Sequence, residues 1–209
     1  MRRYLIVGSG LIGTSVALAL RAQGHTVLLS DIDVGARDDA VAASGGQAWD
    51  GQQLVDMVIV ATPPAATAQV VGHMAQVQPQ AVIVDVSSVK TLVLEGIADL
   101  PKEVQARIVG SHPMAGREVS GARGAQGNLF VDRPWVITRT PHSSEHAVAA
   151  VRDLVTQLGA VAVDRSADEH DRAVALVSHA PQVVASVLAA QLLDAPRQDV
   201  ELAGQGMRD

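Results

Sequence analysis

Histidine titrates near neutrality without help, and one histidine of this 209-residue chain is set as a proton acceptor would be. In Gly110-Ser111-His112-Pro113-Met114-Ala115-Gly116 it follows the short apolar run Ile108–Ser111, is fixed by a proline and is flanked by glycines. The run reads as a strand, so His112 falls at a strand's C-terminal end. There it could take a proton from a substrate hydroxyl as hydride leaves the same carbon. Position alone equally allows a structural hydrogen bond in a turn. A second segment, Asp85-Val86-Ser87-Ser88-Val89-Lys90, closes another strand and opens a helix. One of its serines is expected to be the helix N-cap, and the other hydroxyl to face the same crevice. The remaining histidines are weaker candidates. His25, His73, His142 and His146 fall near helix ends or solvent faces, while His170 and His179 are nine positions apart and so on opposite faces of a straight helix. No metal site is expected.

The third chemical segment is Gly8-Ser9-Gly10-Leu11-Ile12-Gly13, directly after the apolar run Tyr4–Val7. Gly8 suits a tight turn, Gly10 a close approach of backbone to a pyrophosphate, and Gly13 the packing of helix on strand. The amphipathic stretch Leu11–Gln23 follows, with Gly24 at the C-cap, and then the strand Thr26–Ser30. Asp31 closes that strand eighteen residues after Gly13, the spacing of an acid that binds ribose hydroxyls. A carboxylate there, with Asp33 beside it, repels a 2′-phosphate, so the expected cofactor is NAD rather than NADP. Arg37 softens that repulsion without reversing it.

Strand and helix signals alternate around these segments. Helices are expected at Val34–Ser44, Ala65–Gln76, Val89–Leu100 and Ser143–Leu158. Further strands are expected at Met57–Ala61, Ala81–Val86, Trp135–Arg139 and Ala160–Asp164. Thr62-Pro63-Pro64 shapes the exit of its strand and would wall the cofactor site. Such alternation makes an α/β fold with a doubly wound, mostly parallel, Rossmann-type sheet over residues 1–165. His112–Pro134 breaks the rhythm with four glycines and no clean period, as functional connections often do. From residue 166 the pattern is helical only, with Pro181 expected to kink the helix near Val177. This reads as the start of an all-helical second domain, incomplete at 209.

Composition narrows the class. Hydrophobic residues make up 48% and aromatics 2%, so the core must be built of Val, Ala, Leu and Ile, as buried parallel strands are. The net charge of −6 argues against a nucleic-acid partner, and the absence of cysteine excludes disulfides and thiolate chemistry. The purely apolar runs fall far short of the ~18 residues that span a bilayer, and Met1-Arg2-Arg3 leads straight into the first strand. A cytoplasmic protein without a signal peptide is the expectation.

Taken together, the glycine loop, Asp31-Ile32-Asp33, Ala61-Thr62-Pro63, the Asp85–Lys90 block and the His112 block resemble the prephenate/arogenate dehydrogenases of tyrosine biosynthesis. Glu169-His170-Asp171, Ser178-His179-Ala180-Pro181 and Gly204–Asp209 extend the resemblance over nearly the whole chain. It implies oxidative decarboxylation of prephenate to 4-hydroxyphenylpyruvate, with His112 accepting the proton of the C4 hydroxyl and Ser88 helping to hold that hydroxyl. It also implies substrate contacts from Glu118, His179 and Gln182, and cofactor contacts from Gly8, Ser9, Gly10, Leu11, Ile12, Gly13, Asp31, Ile32, Thr62, Pro63 and Ser87. A homodimer through the helical domain is implied as well. Gln182 stands where the family commonly has a second histidine. The family's carboxylate-binding arginine is expected just beyond Asp209, so this length of chain should bind NAD but turn over poorly. Arogenate is the alternative substrate. A β-hydroxyacid-type dehydrogenase would need a helical-domain lysine, and no lysine follows residue 165. A non-catalytic NAD-binding regulator is the remaining reading, should the gene end at 209.

Overall fold

The computed structural model describes residues 1–193, 195–202 and 204. Its strands are β1 (Arg3–Val7), β2 (Thr26–Ser30), β3 (Gln47–Ala48), β4 (Met57–Val60), β5 (Val82–Asp85), β6 (Ile108–Pro113), β7 (Pro134–Arg139) and β8 (Val161–Asp164). They form one sheet in the order β3-β2-β1-β4-β5-β6-β7-β8. The order reverses at β1, with β2 on one side and β4 on the other, which opens a crevice at the C-terminal ends of the strands. Strands β1, β4 and β5 are apolar almost throughout because helices cover both faces of the sheet. On one face lie α1 (Leu11–Ala22) and α6 (Glu145–Gln157), which bury Val16, Leu20, Val151 and Leu154. The other face carries α3 (Pro64–Val77), whose Val71 and Met74 pack with Leu5, Val58 and Ile83. Helix α2 (Val34–Ser44) has its expected limits, with Asp33 capping its start and Gly45, in the left-handed region, ending it.

Three details depart from the sequence reading, and a fourth adds to it. Strand β7 runs antiparallel to β6, because the chain returns from the C-terminal end of β6 without a crossover helix. The expected helix Val89–Leu100 contracts to α4 (Thr91–Gly96), followed by turns and a separate α5 (Lys102–Gln105). Helix α4 ends where Gly96 lies so close to α3 that a β-carbon would stand 2.5 Å from that of Ala68. The edge strand β3 carries too short a pattern to be seen in sequence. Finally, the segment after His112 is ordered. Gln126 N donates to Ser15 Oγ on α1 (3.0 Å), and the fully buried Phe130 packs on Trp135 with ring centroids 5.0 Å apart.

The chain divides into two compact units, the second beginning at Asp171. Helix α7 (Ala167–Val174) passes into a π-helical stretch, Ala175–His179, and then α8 (Ala180–Leu193); a short α9 spans Arg197–Val200. The widened turn ends at His179, two residues before Pro181, the proline expected to disturb the helix. Leu176, Val177, Val184, Val187 and Leu188 are all exposed. The 27-residue run Ala167–Leu193 contains an 18-residue window of mean hydropathy 1.6, long and apolar enough by length and composition to cross a membrane.

Truncating Phe130 to Ala removes the anchor of the 114–133 segment and should cost about 3–5 kcal/mol of stability, read as a lowered urea midpoint. An unchanged midpoint would show that the segment is held by its backbone alone.

Candidate active site

The glycine loop joins β1 to α1 by backbone packing that no larger residue allows. Gly8 has φ +106°, and a β-carbon there would lie 2.3 Å from the Ala61 carbonyl oxygen. One on Gly13 would lie 2.0 Å from the Gly8 carbonyl oxygen. Gly10 differs, because nothing stands within 4 Å of where its β-carbon would be. It occupies the N-cap of α1 and offers no side-chain cap, so the first N–H groups of the helix are left for another acceptor. Ser9 Oγ is buried with no hydrogen-bond partner. An open cradle, free helix-terminal donors and an orphaned hydroxyl fit a phosphate-bearing ligand.

Asp31 stands at the end of β2 with both carboxylate oxygens engaged by backbone. Oδ2 accepts from Ser9 N (2.6 Å) and Oδ1 from Asp33 N (2.9 Å). The acid therefore fixes the glycine loop, a task not visible in the sequence. Ile32 beside it is fully exposed. Asp33 is occupied as the cap of α2, accepting from Gly35 N at 2.8 Å, and the Arg37 guanidinium lies on Asp38 at 2.7 Å. Thr62 and Pro63 follow β4, and Pro64 opens α3.

The second half of the crevice is built on β5 and β6. Asp85 and Lys90 form a buried ion pair, 2% and 1% exposed. Lys90 Nζ also donates to the Ser111 carbonyl (2.6 Å), and Ser111 Oγ donates to the Asp85 carbonyl (2.8 Å). Burial pushes the Asp85 carboxyl above the usual carboxylate range, and the charge of Lys90 pulls it partly back. Neither serine caps α4, contrary to expectation. The cap position is Lys90, whose side chain makes no cap bond; Ser87 Oγ accepts only a long bond from Val89 N (3.5 Å), and Ser87 N donates to Asp85 Oδ1 (3.0 Å). Ser88 is half-buried on the same turn.

His112 follows Ser111 at the end of β6, half-buried, with its Nδ1 2.8 Å from Nε2 of the buried His170. The rings meet edge to face, their planes 75° apart. Sequence reading set His170 aside, since nothing local links residues 58 positions apart; the signal available was its place in the Glu169-His170-Asp171 motif. His25 is structural, bonded to Arg2 N and Gln157. Glu118 is exposed on the segment after β6. His179 and Gln182 lie in the second unit, where Gln182 Nε2 donates to Ser186 Oγ (3.4 Å). Gln205–Asp209 fall outside the described residues.

Replacing Lys90 by Met would leave the Asp85 carboxylate buried without its countercharge, at a cost of about 3–5 kcal/mol. A carboxyl held above its unfolded pKa stabilises the fold while protonated, so the variant should lose stability as pH rises from mildly acid to neutral. Thermal melts across that range check both; a flat profile refutes the assignment of Asp85 as the responsible group.

Comparison with known proteins agrees with the geometry. The family model for the nucleotide-binding domain of prephenate dehydrogenase matches residues 16–164, and the model for the same family's dimerization domain matches residues 166–209. The probable prephenate dehydrogenase NovF of Streptomyces niveus is 36% identical over 204 residues, covering 98% of this chain and 56% of its own length. The chain thus spans little more than half of that relative. Among solved structures, prephenate dehydrogenase from A. aeolicus, in complex with hydroxyphenyl propionate and NAD+, superposes with a TM-score of 0.84 at 26% identity, covering 95% of this chain and 72% of that one. Synechocystis arogenate dehydrogenase gives 0.80 at 29% identity, covering 99% and 77%. By its fold, its motifs and these matches, the chain belongs to the prephenate dehydrogenase family.

Proposed function

We propose that this protein catalyses the NAD-dependent oxidative decarboxylation of prephenate to 4-hydroxyphenylpyruvate. The observation that carries the reading is His112, an imidazole at the C-terminal end of β6 on the edge of the sheet that holds the glycine cradle. When bound, NAD supplies the hydride acceptor. The pyrophosphate is assigned to Gly8, Ser9, Gly10 and the first turn of α1 at Leu11, Ile12 and Gly13, and the adenosine ribose to Asp31, with Ile32 covering the adenine. Thr62, Pro63 and Ser87 line the path to the reacting end.

His112 Nε2 takes the C4 hydroxyl proton as hydride departs from C4, with Ser88 holding the same oxygen. The ring carboxylate leaves as carbon dioxide, its bonding pair enters the ring, and the proton returns from His112 to the oxygen as the phenol forms. Aromatisation drives the step, so the protein's tasks are alignment and custody of one proton. Glu118, His179 and Gln182 are assigned to the substrate side. Residues 1–165 form the cofactor domain, and 166–209 begin the helical dimerisation domain, whose exposed Leu176, Val184 and Leu188 are covered by a second copy. Ser178, Gln182 and Ser186 place polar groups along that helix among its exposed apolar residues. Similarity to an arogenate dehydrogenase keeps the amino analogue as a second substrate reading.

His112→Asn should lower kcat about 10²–10⁴-fold while NAD affinity, measured by fluorescence titration, stays near normal. Retained turnover would refute the role of His112. Initial rates with prephenate and arogenate, each against NAD and NADP, decide the pair; formation of NADH with neither substrate defeats the proposal. Sedimentation should report a dimer.

A further inference from the structure

We infer that His170 is a positioning residue that holds His112 in the one tautomer able to act as a base at Nε2. The inference rests on the proton-accepting role given to His112 above. A hydrogen bond between two ring nitrogens needs one N–H and one lone pair. His112 Nδ1 and His170 Nε2, 2.8 Å apart, can meet in two ways. If His170 donates, the lone pair of His112 is spent at Nδ1 and its Nε2 carries hydrogen, unable to accept a proton. If His112 donates from Nδ1, its Nε2 bears the lone pair, and His170 Nε2 remains an acceptor when His112 becomes an imidazolium. Only the second arrangement supports proton removal. It also places a lone pair where positive charge develops, the task a carboxylate or carbonyl performs for catalytic histidines elsewhere.

The surroundings show that this pairing is built in on both sides. His170 is 1% exposed and lies in the first turn of α7. That turn is fixed by a reciprocal cap: Ser166 N donates to Glu169 Oε2 (2.9 Å) and Glu169 N to Ser166 Oγ (3.3 Å). Arg165 N, just before it, donates to the Ile137 carbonyl of β7, the partner strand of β8 (3.2 Å), and His170 N donates to the Ser166 carbonyl (2.9 Å). On the other side, Lys90 Nζ holds the Ser111 carbonyl immediately before His112. Both rings are thus mounted on backbone tied to the sheet.

The test combines a spectrum with a mutant pair. Long-range ¹⁵N–¹H correlation of the resting protein should show His112 carrying its hydrogen on Nδ1; finding it on Nε2 overturns the inference, whatever the enzyme's activity. His170→Phe keeps the bulk without the acceptor and should lower kcat about 10–100-fold, the effect typical of partners that orient a reacting ligand, with KM for NAD unchanged. His170→Gln, whose amide oxygen reaches the position of Nε2, should restore most of that loss. Equal activity of the Phe variant and wild type, or a Gln variant as slow as Phe, overturns the inference. Should the wild type turn over neither prephenate nor arogenate, the function proposed above fails while the spectrum still decides the tautomer.

Discussion

The contact between the Gly13 backbone and the Gly8 carbonyl oxygen leaves no room for a β-carbon, and the cofactor half of the molecule depends on it. It sets α1 close on β1, with the first N–H groups of the helix left without a side-chain cap. Gly8 is pressed in turn against the Ala61 carbonyl, which locks the glycine loop to the end of β4. Asp31 closes the arrangement from β2 through its bond to Ser9 N. Three strand ends are therefore fastened to one loop before any ligand arrives, and the cost of ordering the cradle is met in folding.

The chemical half is fastened differently. Where glycine contacts bind β1 to its neighbours, an ion pair sealed from water joins β5 to β6: Lys90 bridges the Asp85 carboxylate and the Ser111 carbonyl. Buried pairs of this kind add little net stability, since desolvation offsets most of their attraction. What they specify is place. Here the specified place is the residue before His112, and the capped first turn of α7 supplies the matching constraint on His170. The His112 ring is thus held by two separate constraints, one through the backbone before it and one through its contact with His170.

Much of this was legible in the chain. Glycine spacing marked Gly8 and Gly13, where no β-carbon fits, and Gly10, where the cradle is left open. Strands β2 and β6 and helices α2 and α6 followed from period and caps, and Asp31 from its distance along the chain. The misses share one physical origin. The direction of β7 depends on what joins it to β6, and the packing of α4 on α3 brings Gly96 against Ala68, 28 positions away. Ser87 and Ser88 leave the cap position to Lys90, whose amine turns inward to Asp85 rather than out to solvent. None of these is a property of a short window of residues.

The sequence by itself determined the alternating α/β plan, the dinucleotide cradle and the candidacy of His112, because backbone sterics, periodicity and titration range belong to residues and their near neighbours. Only the tertiary structure decided which groups those residues meet: Asp31 with Ser9, Lys90 with Ser111, His112 with His170. These pairings span 21 to 58 positions and form because the sheet brings separate strand ends to one edge, while water is excluded around Asp85, Lys90 and His170. Burial then makes each unsatisfied polar group costly, so the fold, and not local spacing, selects the partner.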